Sequence, residues 1–342
     1  MSQEKRQEFY GRAEGVNLSP LWEVLATIAP PKPTTAAAPA LWRYSDVRPF
    51  LFEASSLITA EEAERRVMIL ENPGLNKANR ITDSLYAGLQ LVMPGEVAPS
   101  HRHTANALRF IVEGNGAHTT VDGEKTIVHP GDFVITPGWT WHEHANDSEE
   151  PVVWIDGLDI HIVNFLNSGF FEPHSPNMQL EELPEGYSYR AYGHNLRPIG
   201  HEPVRVGNSP IFNYPYRISR DILHSMQRDG APDKCHGFKM KYINPDNGDW
   251  AIPSIAACIQ LLPAGFSTEP YRSTDGTVFS VVEGRGHSLI GSQRFDWSEK
   301  DIFVVPNWVE VRHFSDSDAV LFSYSDRAVQ EKLGLWREVR GV

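Results

Sequence analysis

Short apolar runs, separated by glycine, proline or acidic residues, dominate the chain from Asn79 to Phe165. Runs of this length and composition, bounded by turn residues, are typical of β-strands. Their close spacing favours an antiparallel barrel. We therefore predict strands at Leu85–Val92, Leu108–Val112, Thr119–Val121, Thr126–His129, Asp132–Thr136 and Val152–Leu158.

The same pattern of short apolar runs separated by turn residues recurs in the C-terminal half of the chain. Gly265–Ser273 aligns with Gly95–His103, and Asp301–Trp308 aligns with Asp132–Trp139, with glycines, prolines and apolar positions in the same order. Agreement of this kind indicates an internal duplication. A second set of strands is predicted at Lys239–Ile243, Ala256–Leu262, Val278–Val282, His287–Ile290, Asp301–Val305 and Ala319–Tyr324.

The N-terminal region carries helix signals that prolines interrupt. Ser19 can cap a short helix, because its side chain can accept a bond from a free backbone amide. The prolines between residues 30 and 39 predict an extended arm. Thr59–Glu62 is a capping box, which predicts a helix that continues to Leu70.

The segments outside the two strand-rich regions contain weaker signals. Asn167–Asp233 is rich in proline, tyrosine, asparagine and histidine, and we expect a connection with short helices, for example at Asp221–Gln227. Arg327–Val339 has the pattern of a closing helix.

Composition narrows the classes of function. The chain has 342 residues, 41% of them hydrophobic, which is enough for more than one domain. Its net charge of −13 argues against a nucleic-acid partner. No apolar run approaches the ~20 residues of a membrane span, and the charged N-terminus does not resemble a secretion signal. Cys235 and Cys258 are expected to be reduced thiols in a cytoplasmic protein.

Three histidines form a candidate metal site in the first strand-rich region. His101 and His103 are two positions apart, so they point to the same side of a strand. His142 follows ~40 residues later, a separation that a barrel can close. Imidazole is the commonest metal ligand, and three nitrogens leave coordination positions open for chemistry. Tyr271, Ser273 and Val311 occupy the equivalent places in the second repeat, so we expect that repeat to be metal-free and mainly structural.

The residues around these histidines resemble the two signature motifs of the cupin superfamily. Gly95 precedes the His-x-His pair, and Gly131, Pro137, His142 and Asn146 match the second motif at each position. Cupins usually place a ligand glutamate soon after the His-x-His pair. The window at residues 104–108 is Thr-Ala-Asn-Ala-Leu, which offers no carboxylate.

A duplicated cupin with three histidines and no ligand glutamate resembles the gentisate 1,2-dioxygenase family and its salicylate and 1-hydroxy-2-naphthoate relatives. The resemblance implies an all-β dominated bicupin with two antiparallel jelly-roll barrels, a helical N-terminal arm, and short helices in the linker and at the C-terminus. The implied divisions are an arm at 1–78, a catalytic metal-binding barrel at 79–166, a linker at 167–235, a degenerate barrel at 236–326 and a C-terminal helix at 327–342.

The resemblance also implies the chemistry. Members are non-haem Fe(II) enzymes, commonly tetrameric, that open the ring of an aromatic acid with O2. We therefore expect one Fe(II) per subunit, held in the first barrel by His101, His103 and His142 of a homotetramer. Gentisate, cleaved between C1 and C2 to maleylpyruvate, is the expected substrate. Salicylate or 1-hydroxy-2-naphthoate is the alternative within the enzyme class, and a non-catalytic bicupin that binds an aromatic acid is the alternative outside it.

An aromatic acid needs cations besides the metal. Arg109 lies six residues after His103, so alternation along one strand would place both on one side. Its guanidinium could hold the substrate carboxylate or a negative intermediate that develops during catalysis, or it could pair with an acid in the barrel wall. By resemblance, Arg65 of the N-terminal helix also reaches the substrate, although the neighbouring Arg66 could face the pocket instead.

Two further residues are candidates for catalysis. His144 follows His142 by two positions and is expected to face the same cavity, as a fourth ligand, a substrate hydrogen-bond partner or a general acid/base. The family pattern favours a non-ligand role, and a solvent-bonded histidine at the rim is the alternative. The family also places an aspartate at Asp156 that influences catalysis through hydrogen bonds. An ordinary aspartate at a strand end is the alternative there.

The strand that precedes Gly95 supplies the remaining candidates. Tyr86, Gly88 and Gln90 alternate along it and are expected to face the cavity, where Tyr86 could stack on the substrate ring or simply fill the core.

Overall fold

The computed structural model describes residues 3–175, 179, 181–194, 197–199 and 207–341. Residues 1–34 and 35–342 form two compact units. The first contains helices α1 (Gln3–Glu14) and α2 (Leu21–Ile28). Helix α2 begins after Pro20 with no side-chain cap, so Ser19 does not have the predicted capping role. The indole Nε1 of Trp22 donates to the Tyr10 hydroxyl at 2.8 Å.

The described part of the second unit contains six helices among many strands. None of the helices in the described part of the chain is both long and apolar enough to cross a membrane. These helices are α3 (Tyr44–Leu57), α4 (Ala60–Ala63), α5 (Ile160–Phe165), α6 (Tyr187–Tyr192), α7 (Tyr216–Asp229) and α8 (Arg327–Lys332).

The first barrel is built from two antiparallel sheets that face each other. Its six-stranded sheet has the order β12-β8-β5-β10-β3-β2, and its five-stranded sheet has the order β11-β4-β9-β6-β7. The strands are β2 (Val67–Ile69), β3 (Tyr86–Val92), β4 (Val97–His103), β5 (Ala107–Glu113), β6 (Ala117–Val121), β7 (Glu124–Ile127), β8 (Phe133–Thr136), β9 (His142–Asn146), β10 (Val152–Leu158), β11 (Phe171–Pro173) and β12 (Asn213–Tyr214).

The second barrel repeats this architecture. Its sheets have the orders β1-β19-β16-β21-β14-β13 and β18-β17-β20-β15-β22. The strands are β1 (Ala40–Trp42), β13 (Phe238–Lys241), β14 (Ala256–Leu262), β15 (Tyr271–Ser273), β16 (Thr277–Glu283), β17 (Arg285–Ile290), β18 (Gln293–Ser298), β19 (Ile302–Val305), β20 (Val311–Ser315), β21 (Ala319–Ser325) and β22 (Glu338–Arg340). The predicted bicupin fold is therefore confirmed.

Several local predictions were wrong because strand pairing overrode the local pattern. Helix α4 ends at Ala63, and the residues predicted to continue it form β2, which pairs with β3. The predicted closing helix stops at Lys332, and β22 then pairs with β15. Linker strands β11 and β12 join the first barrel, whereas β1, from the expected arm, joins the second. The predicted helix at Asp221–Gln227 is present within α7.

The two barrels share one apolar core. Phe110 of the first barrel stacks on Phe322 of the second, with ring centroids 4.0 Å apart and planes 7° apart. Stacked aromatic pairs add about 0.5–1.5 kcal/mol beyond the burial of their area. The Tyr324 hydroxyl also donates to the Tyr86 carbonyl at 3.0 Å. The second barrel therefore supports the strand on which the first barrel carries Tyr86.

A repeated turn fixes the end of the strand that carries the His-x-His pair. Trp139 and Trp308 both have a φ of 62°. Their amides donate to the carbonyls of His103 at 2.6 Å and Ser273 at 2.7 Å. In the first barrel this bond ties the end of β4 to the loop that leads into β9. The turn therefore brings the third histidine toward the first two.

Candidate functional site

Three histidines converge inside the first barrel. His101 and His103 lie on the same side of β4, and His101 pairs directly with His142 on β9. The ring centroids of His101 and His142 are 4.6 Å apart, and those of His103 and His142 are 4.8 Å apart. One nitrogen from each ring lies within 4.8 Å of the others. Among the described residues, this is the one group of histidine, cysteine and acidic side chains arranged to hold a metal ion.

Backbone carbonyls orient two of these rings. Nδ1 of His103 lies 2.8 Å from the Ala105 carbonyl, and Nδ1 of His142 lies 3.0 Å from the Thr140 carbonyl. A carbonyl can only accept, so each Nδ1 carries the proton and each Nε2 presents a lone pair. The buried Nε2 of His142 has no hydrogen-bond partner in the described part of the chain. A metal ion is the partner that such an arrangement fits.

The environment keeps the three imidazoles neutral. Burial, followed by the positive charge of Arg65, lowers the pKa of His101 to about 2. Burial lowers the pKa of His103 to about 4 and holds the pKa of His142 well below its usual value. A neutral imidazole has the lone pair that metal coordination requires. The three rings are therefore ready to bind a cation at neutral pH.

A cavity of about 490 Å³ opens beside the histidines. Its walls combine apolar side chains with polar and charged ones, as small-molecule sites do. Tyr86 and Gln90 lie on its wall, as predicted from their alternation along β3. The other lining residues are Arg65, Val67, His101, His103, Thr104, Ala105, Ala107, Arg109, His142, Asp156, Leu158, Ile160, Val163, Asn164, Gly169, Phe170 and Phe171.

A buried ion pair occupies one wall of the cavity. Arg109 on β5 pairs in register with Asp156 on β10, and its Nε lies 3.3 Å from Oδ1. Both residues are nearly inaccessible, with exposures of 4% and 6%. The Thr136 hydroxyl accepts a further bond from Arg109 at 2.5 Å. Trp154 donates to the same Oδ1 at 3.2 Å.

Burial governs the protonation of this pair. It raises the pKa of Asp156 to about 6, although Arg109 acts in the opposite direction. Burial also lowers the pKa of Arg109. Arg109 reaches the cavity from β5, which lies in a different sheet from His103 on β4. The expected alternation along one strand is therefore not the reason that they meet.

The structure separates the roles of the two neighbouring arginines. Arg65 lines the cavity, and its Nη2 lies 3.5 Å from Nε2 of His101. Burial and the charge of Arg109 lower its pKa to about 9, so it remains a cation at neutral pH. Arg66 instead pairs with Glu96, through contacts of 2.5 and 2.7 Å. Arg65 follows the short helix rather than lying within it.

Two predicted site residues do not reach the cavity wall. His144 is fully buried, with Nδ1 3.0 Å from the Thr119 hydroxyl and its ring centroid 6.0 Å from that of His142. His144 is not among the residues that line the cavity. Gly88 lies behind Tyr86, and a β-carbon at this position would lie 2.7 Å from the Tyr86 hydroxyl oxygen. Gly88 therefore provides space for that side chain.

Two residues at the mouth of the cavity lie outside the predicted set of site residues. Phe170 and Phe171 come from the segment assigned to the linker, and the Phe171 ring centroid lies 4.9 Å from that of His101. One feature of the sequence could have pointed to this segment, which is the acidic residue Glu172. Its carboxylate pairs with Arg102 on β4 at 2.6 Å. That ion pair holds β11 against the strand that carries the ligands.

Comparisons with known proteins agree with this geometry. Residues 88–161 match the cupin domain family. The chain is 54% identical to gentisate 1,2 dioxygenase 1 from Aquipseudomonas alcaligenes, and the match covers 98% of this chain and 96% of the relative. It is 37% identical to 5-aminosalicylate 1,2-dioxygenase from Comamonas sp, with coverage of 94% of this chain and 87% of the relative.

A solved structure extends the similarity to the whole fold. Salicylate 1,2-dioxygenase from Pseudoaminobacter salicylatoxidans, determined with gentisate adducts, matches with a TM-score of 0.92 and 32% identity. The match covers 99% of this chain and 94% of that one.

Proposed function

The chain belongs to the gentisate 1,2-dioxygenase family of cupins, and we propose that it opens the ring of gentisate between C1 and C2 with O2, giving maleylpyruvate. The observation that carries this proposal is the set of three neutral imidazoles on one side of a cavity of about 490 Å³ that also presents two arginines. The similarity to a gentisate 1,2 dioxygenase over nearly the full length supports the choice of substrate.

We propose that His101, His103 and His142 hold one Fe(II) per subunit. Three neutral ligands leave the ion its full positive charge, which favours an anionic substrate. When bound, the ion would supply open positions for a chelating substrate and for O2, and a path for electrons between them. Among the described residues, the grouped ligands are three histidines without an acid, which supports this assignment.

The arginines are assigned to the substrate carboxylate. Arg65 and Arg109 bring two positive charges to the cavity, and Asp156 is the acidic residue among those that line it. A guanidinium can hold a carboxylate through two parallel bonds, which orients the ring as well as binding it. Asp156 keeps Arg109 in place through Oδ1. The Tyr86 ring and the Gln90 amide, both on the cavity wall, are assigned to the substrate ring and its hydroxyl groups.

His144 is assigned a positioning role. Its Nδ1 lies 3.0 Å from the Thr119 hydroxyl, and its ring centroid lies 6.0 Å from that of His142. Burial holds the pKa of His144 well below the usual value. A neutral ring behind the wall can orient the ligand set without touching the substrate. We also propose that the enzyme is cytoplasmic and forms a homotetramer, as family members commonly do. The exposed apolar residues Phe165, Leu166 and Phe170 near the cavity mouth are consistent with subunit contacts.

Salicylate and 1-hydroxy-2-naphthoate are the competing substrates, since the walls rather than the ligands determine which ring fits. Oxygen uptake by the ferrous enzyme, measured with gentisate, salicylate and 1-hydroxy-2-naphthoate, separates them. We expect the highest kcat/KM with gentisate and no uptake by His103→Ala. Faster turnover of either competitor would reassign the substrate. Absence of uptake with all three, despite bound iron, would favour a non-catalytic binding protein.

A further inference from the structure

The second barrel encloses a small cavity at the place that corresponds to the metal site of the first. Tyr271 pairs with Val311 in the same register in which His101 pairs with His142. The repeat therefore places Tyr271, Ser273 and Val311 where the first barrel has its histidines. All three line the cavity, whose volume is about 40 Å³. The three positions equivalent to the metal ligands have lost their imidazoles, but the cavity has kept a polar lining.

A glutamine survives at the equivalent position in both repeats. Gln260 pairs with Lys239 on β13, as Gln90 pairs with Val67 on β2. Ala257, Ile259 and Leu261 on β14 face the core between the barrels, so Gln260 faces the interior of the second barrel. Its side chain is 1% exposed, and Nε2 has no acceptor in the described part of the chain. A buried amide donor without an acceptor is costly, so it indicates a missing partner.

A histidine with a hydroxyl partner also survives. His313 pairs in register with Ser288, as His144 pairs with Thr119. The Ser288 oxygen accepts from Trp297 Nε1 at 2.9 Å and lies 2.8 Å from Nδ1 of His313, to which the hydroxyl can donate. In that tautomer the neutral imidazole carries its proton on Nε2, on a ring that lines the cavity. The second barrel therefore presents another N–H donor.

Positive charge completes the lining. Lys239 alternates with Phe238 and Met240, which face the core between the barrels, so its side chain is directed to the cavity that it lines. Lys239 takes part in none of the ion pairs among the described residues, and Glu269, Asp249 and Asp233 pair instead with Lys234, Lys332 and Arg340. The one lining acid, Asp275, already accepts from Trp336 Nε1 at 2.9 Å and from the Thr277 hydroxyl at 3.4 Å.

We propose that this cavity binds a small monovalent anion through the Gln260 amide, Nε2–H of His313 and the Lys239 ammonium group. Charge-assisted bonds of this kind are about twice as strong as neutral ones. A volume of about 40 Å³ admits a few water-sized groups and excludes an aromatic acid. The ligand class is therefore a halide or a one-carbon carboxylate such as formate, and the site is distinct from that for the ring substrate.

Anomalous diffraction from crystals of the full chain soaked in sodium bromide tests the location. We expect a bromide peak within hydrogen-bond distance of Gln260 Nε2 and Lys239 Nζ. Lys239→Met should lose the peak, whereas Lys234→Met, which removes a lysine whose side chain is 79% exposed, should keep it. Only water in the wild-type cavity, or an equal peak in Lys239→Met, would overturn the proposal.

A solution measurement tests the same site without the crystal. Thermal unfolding is measured at constant ionic strength while sodium formate or sodium bromide replaces sodium gluconate. Gluconate is the reference anion, because it is too large for the cavity. We expect Tm to rise with either anion, and the apparent affinity to fall at least about tenfold in Lys239→Met and in Gln260→Leu. Binding in the first barrel would affect all variants alike. Equal Tm shifts in wild type, Lys234→Met and both cavity variants would refute the anion site.

Discussion

Substitution of Asp156 by asparagine shows whether desolvation or ion pairing dominates the free energy of the buried Asp156–Arg109 pair in the cavity wall. Asp156 is 6% exposed, and Oδ1 is the atom that meets both Arg109 at 3.3 Å and Trp154 at 3.2 Å. An asparagine carbonyl in the same place can still accept from Trp154. The substitution therefore removes the charge beside Arg109 while keeping the shape and the Trp154 hydrogen bond.

The pKa of Asp156 sets the expected magnitude. Burial raises it from 3.8 to about 6 in the folded protein, despite the attraction of Arg109. Between these two values the folded state holds a proton that the unfolded state has lost, so stability falls as pH rises through this window. A difference of about 2 pKa units corresponds to about 3 kcal/mol. Ionised Asp156 therefore destabilises the fold by about that amount above pH 6.

Urea unfolding of the metal-free protein between pH 4 and pH 8 provides the assay, because a bound cation would itself lower the pKa of Asp156. We expect Asp156→Asn to match the wild type near pH 4 and to exceed its free energy of unfolding by about 3 kcal/mol at pH 7. The exposed control Asp316→Asn should show no such divergence. A variant that becomes less stable than the wild type as pH rises would refute the reasoning, since Arg109 would then outweigh desolvation.

Two other pairs of variants separate neighbouring residues. His103→Ala should lose both iron retention and turnover. His144→Ala should keep iron after desalting and turn over about 10- to 100-fold more slowly, as is common when a residue that supports the metal ligands is removed. An iron-free His144→Ala protein would instead make His144 a ligand. Arg65→Met should raise KM for gentisate at least about tenfold with little change in stability. Arg66→Met should instead lower the free energy of unfolding by roughly 1–3 kcal/mol, because Glu96 loses its arginine partner, and KM should be retained. The reverse pattern in substrate titrations and urea unfolding would exchange the two roles.

The sequence was most informative where chemistry and periodicity coincide. The His-x-His spacing predicts two rings on one side of a strand, and His101 and His103 do lie on the same side of β4. The repeated glycine and proline positions were sufficient to predict the duplication, because each turn needs a special backbone conformation. Trp139 and Trp308 show this most directly, with the same φ of 62° in the two barrels.

The failures share a physical cause, which is that contacts distant in the chain decided the local structure. Residues after Ala63 have a helical pattern, yet β3 offers them a strand partner. Arg109 meets the ligands across the barrel rather than along one strand. His144 has the same spacing from His142 as His103 has from His101, yet it contacts the Thr119 hydroxyl and is not among the residues that line the cavity. The spacing of two residues along a strand does not determine whether both side chains reach the cavity.

Single turnover with labelled oxygen tests the central claim, which is that His101, His103 and His142 hold a ferrous ion beside a cavity for an aromatic acid. The protein is loaded with one Fe(II) per chain, mixed anaerobically with gentisate, and then exposed to ¹⁸O₂. We expect a ring-opened product that absorbs in the near ultraviolet and carries both labelled oxygen atoms. Iron-loaded protein that binds gentisate but leaves the ring intact would contradict the account.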